Sequence, residues 1–267
     1  MSRPLGLLAG SGQFPAYLME ALKERGHEVV VVGFNGETSR ELAAGAARSL
    51  FLEVGELEKV ISFLKESDVK EALMAGYVSH TNLFRKPRMD SLTARVFAGL
   101  RDKRADTLLK AAAWSLKRAG INLVSAMPYL KPMMIEKGTR TRREPTAEEW
   151  ADIKFGHMMA RKVAGLDIGQ TVVVKHQALL AVEAMEGTDA AIERGGHLGR
   201  GGVVVVKVAR PRQDFRFDVP VIGKGTVTTL NRAGAAVLAV EAGRTIVLDR
   251  VEVIRMADEA GVSIVAL

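Results

Sequence analysis

Between residues 1 and about 128 the chain alternates short apolar runs with helical patterns, and a sequence written that way has few folds open to it. Leu5–Ala9 is followed by a helical pattern to about Arg25, Val29–Val32 by one near Ser39–Ala47, and Ser49–Val54 by one from Glu56. Leu73–Ala75, a long basic helical stretch over Ser91–Arg118 and Ile121–Val124 complete the series. Strands separated by helices must run parallel and be covered on their faces, so this half is expected to be a Rossmann-like parallel-sheet domain.

The rhythm then breaks. Pro128, Pro132 and Pro145 surround the charged Lys137–Glu144 run, which reads as a linker or an ordered crossover arm. Thr146 and Glu149 have capping-box spacing and predict a helix to about Val163. Beyond Asp167 the pattern is that of hairpins: Thr171–Lys175 with Leu179–Glu183 across a tight turn, and Ala236–Glu241 with Thr245–Leu248 across Gly243. Val203–Ala209 reads as a buried strand, Asp249–Ala260 as a helix and Val262–Ala266 as a last strand. The expected architecture is α/β: a Rossmann-like domain over 1–130, a linker over 131–145, and a C-terminal α+β domain with a mixed sheet over 146–267. Leu180-Ala181-Val182-Glu183 and Leu238-Ala239-Val240-Glu241 echo each other, too briefly to establish a duplication.

Composition removes several chemistries. Without a cysteine in 267 residues there are no thiol nucleophiles, disulfides, cysteine zinc sites or iron–sulfur clusters. The five histidines lack the i, i+4 pairing of a zinc helix, and no Gly-x-Ser-x-Gly elbow occurs. No apolar run approaches the roughly 20 residues of a spanning helix. A net charge of +7 suits anionic partners. Its densest part, from Arg85, Lys86 and Arg88 through Arg95, Arg101, Lys103 and Arg104, reads either as a solvated helix face or as an attractor of anionic surfaces. Phe84 and Phe97 are too few aromatics for stacking single-stranded nucleic acid, so no nucleic-acid partner is expected.

Gly10-Ser11-Gly12-Gln13 follows the first strand and opens a helix, where backbone N–H groups can meet phosphate or sugar. Pro15 stands in place of the third glycine of a dinucleotide fingerprint, and Gly33-Phe34-Asn35 in place of its ribose-binding acid. A nicotinamide or flavin enzyme is thus disfavoured, and a tight turn without ligand stays open. In the second half, Glu183, Glu186, Thr188 and Asp189 surround a glycine turn, and Lys207, Gln213, Asp214, Arg216 and Asp218 follow closely. Carboxylates at strand ends can hold Mg²⁺, and Lys207 and Arg216 can neutralise phosphate charge, a combination suited to pyrophosphoryl hydrolysis. Taken singly, each reads more readily as structural than as catalytic, Thr188 as a helix cap and Asp218 as a turn residue.

Three stretches together resemble the LpxI type of UDP-2,3-diacylglucosamine hydrolase. They are Asp167-Ile168-Gly169-Gln170, Ala181 to Asp189, and Lys207 with Gln213-Asp214-x-Arg216-x-Asp218-x-Pro220-x-Ile222-Gly223. The Ala9–Gly12 turn with Phe14-Pro15, and Met74-Ala75-Gly76-Tyr77-Val78, resemble that family's N-terminal domain. The resemblance implies a Mg²⁺-dependent cytoplasmic enzyme of lipid A biosynthesis, and a substrate with two acyl chains together with the basic stretch leaves open a peripheral place at the inner face of the inner membrane. It would cleave its glycolipid nucleotide to UMP and 2,3-diacylglucosamine 1-phosphate (lipid X). On this reading Asp214 and Asp218, with Glu183, Glu186 and Asp189, bind metal or activate water. Lys207 and Arg216 contact the pyrophosphate, while Gly10, Ser11, Gly12, Gln13, Gly76, Thr188 and Gln213 bind substrate. The expected partners are that substrate and, transiently, an anionic membrane surface, with a homodimer left open. A nucleotide-sugar transferase and a non-enzymatic lipid or nucleotide carrier are the competing readings.

Overall fold

The computed structural model describes residues 3–78, 89–102, 104–211, 213–217 and 219–267, with the backbone alone at 105 and 106. It divides into two compact units, Met1–Leu130 with Asp214–Asp218, and Lys131–Gln213 with Val219–Leu267.

In the first unit, β1 (Leu5–Ala9), β2 (Val29–Phe34), β3 (Arg48–Leu52), β4 (Glu71–Ala75) and β5 (Asn122–Leu123) form one parallel sheet in the order β3-β2-β1-β4-β5. Leu8, Val30, Val32 and Ala72 pack with Val60, Phe63 and Leu64 of α2 (Leu57–Glu66). They also meet Leu116, and Phe217 packs against the same core. Leu7, Val31 and Leu73 are buried on the opposite face, and α1 (Phe14–Lys23) lies against β1, β2 and β4 with Leu18 and Leu22 buried. The buried Thr38 hydroxyl donates to the Ala9 carbonyl (2.5 Å) and accepts from the Phe34 N–H (2.8 Å), tying the ends of β1 and β2.

The helical stretch expected over Ser91–Arg118 is two helices, α3 (Ser91–Ala98) and α4 (Ala105–Arg118). Gly99 caps the first, and the Asp102 carboxylate accepts the Arg104 N–H (3.1 Å) and the Thr107 hydroxyl (2.7 Å), offering the backbone an alternative to continuous helix. Near Ser39–Ala47 the expected helix is a 3₁₀ segment, Arg40–Gly45. A short helix α5 (Met127–Leu130) closes this part of the chain.

The second unit carries a mixed sheet in the order β6-β13-β11-β9-β7-β8. Its strands are β6 (Gly138–Thr139), β7 (Thr171–Lys175), β8 (Ala178–Val182), β9 (Val203–Lys207), β11 (Ala235–Val240) and β13 (Ser263–Ala266). The arm over 131–145 joins this sheet, β6 pairing antiparallel with β13 and Arg143 donating to the Ala236 carbonyl (3.2 Å) and the Ser263 hydroxyl (2.7 Å). Strands alternate two apolar faces. Val172, Val174, Val204 and Val206 meet Ile153 and Ala160 of α6 (Ala147–Gly165), whose capping box at Thr146 and Glu149 forms as the sequence predicts. Val173, Val203, Val205 and Leu238 meet Ile192 of α7 (Thr188–Gly199), Leu230 of α8 (Lys224–Arg232) and Val253 of α9 (Arg250–Glu259). Each such buried valine contributes about 1.5–3 kcal/mol.

One expected hairpin is overturned. β11 does not pair with the segment across Gly243; it runs parallel to β9 and β13 at the sheet centre, while β12 (Ile246–Val247) pairs parallel with β10 (Val221–Ile222). Buried valines and leucines satisfy a central parallel strand as well as a hairpin arm, and the Gly243 N–H is taken by the Ile135 carbonyl (2.9 Å). The Leu-Ala-Val-Glu echo accordingly spans an edge antiparallel strand and a central parallel one.

The β7–β8 hairpin turns at His176 and Gln177, both with positive φ (50° and 56°), the geometry in which Asn-Gly is favoured. Buried Asp152 compensates by accepting both their N–H groups, at 3.0 and 2.6 Å. Asp152→Ala is expected to lose about 2–4 kcal/mol of stability in denaturant titration, and adding His176→Asn with Gln177→Gly to recover about 1 kcal/mol or more. A loss below roughly 0.5 kcal/mol would show that the turn stands without its clamp.

Candidate functional site

In the first unit the strand order reverses between β1 and β4, the point at which open α/β sheets bind ligands. The loops leaving those strands are zipped together: the Gly10 N–H donates to the Ala75 carbonyl (2.8 Å), and Ser11 and Tyr77 exchange N–H···O bonds of 2.7 and 3.2 Å. The Ser11 hydroxyl also donates to the Tyr77 carbonyl (2.7 Å). Such contact requires glycine. A Cβ on Gly10 would lie 2.6 Å from the Tyr77 oxygen, and one on Gly76 (φ +87°) 2.5 Å from the Ser11 oxygen. Gly10, Ser11 and Gly76 are therefore brought together, but Gly10 and Ser11 spend their N–H groups on the protein. Gly12 and Gln13 remain at the start of α1, whose N-cap Gln13 makes no side-chain capping bond.

Residues 214–217 belong to this unit. Arg216 forks onto Asp214, Nε to Oδ1 at 2.9 Å and Nη2 to Oδ2 at 2.6 Å, and its own N–H adds a third bond to Oδ1 (3.1 Å). Those bonds, and at longer range the charge of Lys110, hold the Asp214 carboxyl below the usual carboxylate range. The Ser125 hydroxyl donates to the Phe215 carbonyl (3.3 Å), fixing the segment further. Asp218 lies outside the described residues.

In the second unit, Glu183 follows β8, Lys207 ends β9 and Thr188 opens α7. The Thr188 hydroxyl donates to Glu183 Oε1 (2.8 Å), Lys207 Nζ donates to Thr188 Oγ1 (3.4 Å), and Glu183 Oε2 accepts the Gln170 N–H (3.1 Å). A Cβ on Gly169 would lie 2.0 Å from the Glu183 carbonyl oxygen, so that glycine admits the strand end. Glu186 turns elsewhere: it accepts from the Ala184 N–H (3.1 Å) and Arg194 (2.7 Å), and its own backbone N–H, ahead of Arg194, lowers its pKa. Asp189 is exposed in the first turn of α7, and Gln213 Oε1 accepts the Arg210 N–H (2.8 Å).

A divalent cation held by protein oxygens needs carboxylates aimed at one point. Glu183, Glu186 and Asp214 instead give both oxygens to protein donors, and among the described residues no three His, Asp or Glu side chains gather as a metal site. The described residues do not fit a preformed Mg²⁺ cage.

One cluster escaped sequence reasoning. Buried Glu241, just beyond β11, accepts from Arg161 (3.0 Å) and the Ala209 N–H (2.8 Å), with His157 Nε2 at 3.5 Å. It fixes the backbone two residues beyond Lys207. Its position in the second Leu-Ala-Val-Glu was the available signal, since Glu183 in the first also clamps a backbone N–H.

The Arg216 fork predicts a titration. Asp214 is expected to titrate below its ordinary 3.8 by carboxyl NMR, Arg216→Gln to return it towards that value, and Lys110→Gln to move it less. With its folded pKa depressed, the pair stabilises at neutral pH and loses that contribution as pH falls through the depressed value. An unmoved Asp214 in Arg216→Gln would refute the pairing.

Comparison with known proteins covers nearly the whole chain. Residues 4–133 match the LpxI N-terminal domain and 136–265 the LpxI C-terminal domain. The UDP-2,3-diacylglucosamine pyrophosphatase LpxI of Caulobacter vibrioides is 31% identical over 278 residues, covering 99% of this chain and 98% of the relative. Solved structures give only weak likenesses. The biotin carboxylase subunit of pyruvate carboxylase is 14% identical, with 74% of this chain and 33% of that one covered at a TM-score of 0.29. For Bordetella bronchiseptica WbmG in complex with NAD the figures are 15%, 49%, 40% and 0.30, and neither likeness bears on function. With both domain models matched in order and a relative aligned end to end, the chain belongs to the LpxI family.

Proposed function

We propose that the protein hydrolyses the pyrophosphate bond of UDP-2,3-diacylglucosamine, releasing UMP and 2,3-diacylglucosamine 1-phosphate in lipid A biosynthesis. The observation that carries this reading is the end-to-end match to a relative named for that pyrophosphatase activity. The local chemistry supports it. Breaking a phosphoric anhydride requires positive charge where negative charge develops and a group that orients or deprotonates water.

Arg216 and Lys207 supply cations that begin on protein acceptors, Asp214 and Thr188 respectively. A phosphate oxygen competes for the same donors, and a guanidinium drawn from Asp214 leaves that carboxylate a stronger base. Asp214 is thereby assigned to water, with Asp218 as its partner in the motif. Glu183 is assigned to holding Thr188, and through it Lys207, rather than to metal. Gly12 and Gln13 at the start of α1 are assigned to substrate. Mg²⁺ is proposed as an ion required for turnover, for which the described carboxylates provide no cage. The substrate's two acyl chains call for reversible contact with an anionic membrane, and no helix among the described residues is long and apolar enough to cross one.

Incubation with UDP-2,3-diacylglucosamine, without an acceptor, is expected to release UMP. EDTA is expected to stop release and Mg²⁺ to restore it, with melting temperature unchanged. UMP release that requires an acceptor would establish a transferase, intact bound ligand a carrier, and a melting temperature falling with activity a structural metal.

Asp214→Asn keeps the side chain's size and removes its charge. Turnover is expected to fall at least a hundredfold, with the substrate dissociation constant changed less than about threefold. A near-normal rate in the folded variant would remove Asp214 from the chemistry, and weakened binding at full rate would make it a ligand contact.

A further inference from the structure

The exposed side of α4 joins features that a water-facing helix seldom combines. Lys110, Trp114, Lys117 and Arg118, spaced i, i+4, i+7 and i+8, lie on one exposed face, while Ser115 and Leu116 on the opposite side are buried. Trp114 is 57% exposed, although a tryptophan withdrawn from water is among the largest hydrophobic contributions a core can receive. The Arg118 guanidinium lies over its ring at 4.7 Å, leaving an aromatic surface bordered by cations.

The preceding helix extends the pattern. α3 contains Leu92, Val96 and Phe97 yet has no buried residue, and Arg95, Arg101 and Arg104 add charge around it. Asp102 is already paired with Arg104 (3.0 Å), and Asp106 is the single carboxylate in the α4 sequence. Leu92, Val96 and Phe97 are only half-buried, and an exposed tryptophan amid an excess of Lys and Arg is the composition that rests in the headgroup region of an anionic bilayer.

We propose that the exposed faces of α3 and α4, centred on Trp114, Lys117 and Arg118, form the surface by which this protein docks reversibly on anionic membrane. The occupant is the bilayer because charge complementarity and an interfacial aromatic occur together. Nucleic acid would want stacked aromatics along a groove, and a second copy of this face would repel the first. The proposal rests on the lipid-substrate reading above and gives it a place: Lys110 on the same helix acts electrostatically on Asp214, so the docked face lies beside the segment assigned to chemistry. It also moves the contact beyond the basic stretch picked out in the sequence, of which Arg85, Lys86, Arg88 and Lys103 lie outside the described residues.

The test uses the full chain with vesicles of phosphatidylcholine alone and with about a quarter phosphatidylglycerol. Binding is read by sedimentation and tryptophan emission, and UMP release is read separately on detergent-dispersed substrate. The wild type is expected to bind the anionic vesicles alone, with a blue shift in emission, and to leave them in high salt. Lys117→Gln with Arg118→Gln is expected to weaken binding roughly thirtyfold. Trp114→Phe is expected to abolish the shift, because the other tryptophan, Trp150, packs against a core. Turnover in detergent is expected to stay within twofold in every variant. Undiminished vesicle binding by the charge variant, absence of wild-type binding, or self-association lost with the same substitutions would overturn the docking surface. A chain that releases no UMP yet binds vesicles through these residues would keep the surface and refute the reaction.

Discussion

A carboxylate that leaves water must be met by donors, and the second unit depends on how that demand is satisfied. Asp152 takes two N–H groups of the β7–β8 turn, Glu183 the Gln170 N–H, and Glu241 the Ala209 N–H. Each joins segments distant in sequence, and buried Asp152 and Glu241 would each cost several kcal/mol if left without their partners, whereas Glu183 is only half-buried. Strand ends, the least regular parts of a sheet, are thereby held where side chains must be placed accurately. Lys207 profits twice, through the Thr188–Glu183 pair on its ammonium and through Glu241 on the backbone just beyond it.

Much of the fold was legible because hydrophobic period and length dictate it. A parallel sheet covered by helices leaves five-residue apolar strands and amphipathic helices in alternation, and Leu5–Ala9 through Leu73–Ala75 read accordingly. Pairing partners were less legible. Ala235–Val240 is apolar at both alternations because it is buried on both faces, and such a strand carries no mark of whether its neighbour is parallel. The break between α3 and α4 depended on Asp102 accepting from the Arg104 N–H, its guanidinium and the Thr107 hydroxyl, a local competition that periodicity does not register.

For the candidate site, residue types were legible and the hydrogen-bond partner of each side chain was not. Glu183, Glu186, Asp189 and Asp214 read as metal ligands because acidic residues near strand ends have that chemistry, but where a lone pair points depends on the partner the fold supplies. Arg216, two residues from Asp214, faces it directly, a pairing sequence spacing alone leaves open. At Gly10 and Gly76 the close approach that excludes a Cβ is made by the protein's own backbone, a partner that the glycine pattern alone does not specify.

Phe217 completes a core whose other members all precede residue 124. During synthesis at roughly 5–20 residues per second, the first unit waits on the order of 5–20 s after residue 130 for the aromatic side chain that covers it. In that interval an apolar patch stays open to solvent. A division of the chain at residues 131–145 would put Phe217 on a different polypeptide from the core it packs against, so the continuity of the chain is itself part of how the first unit is finished.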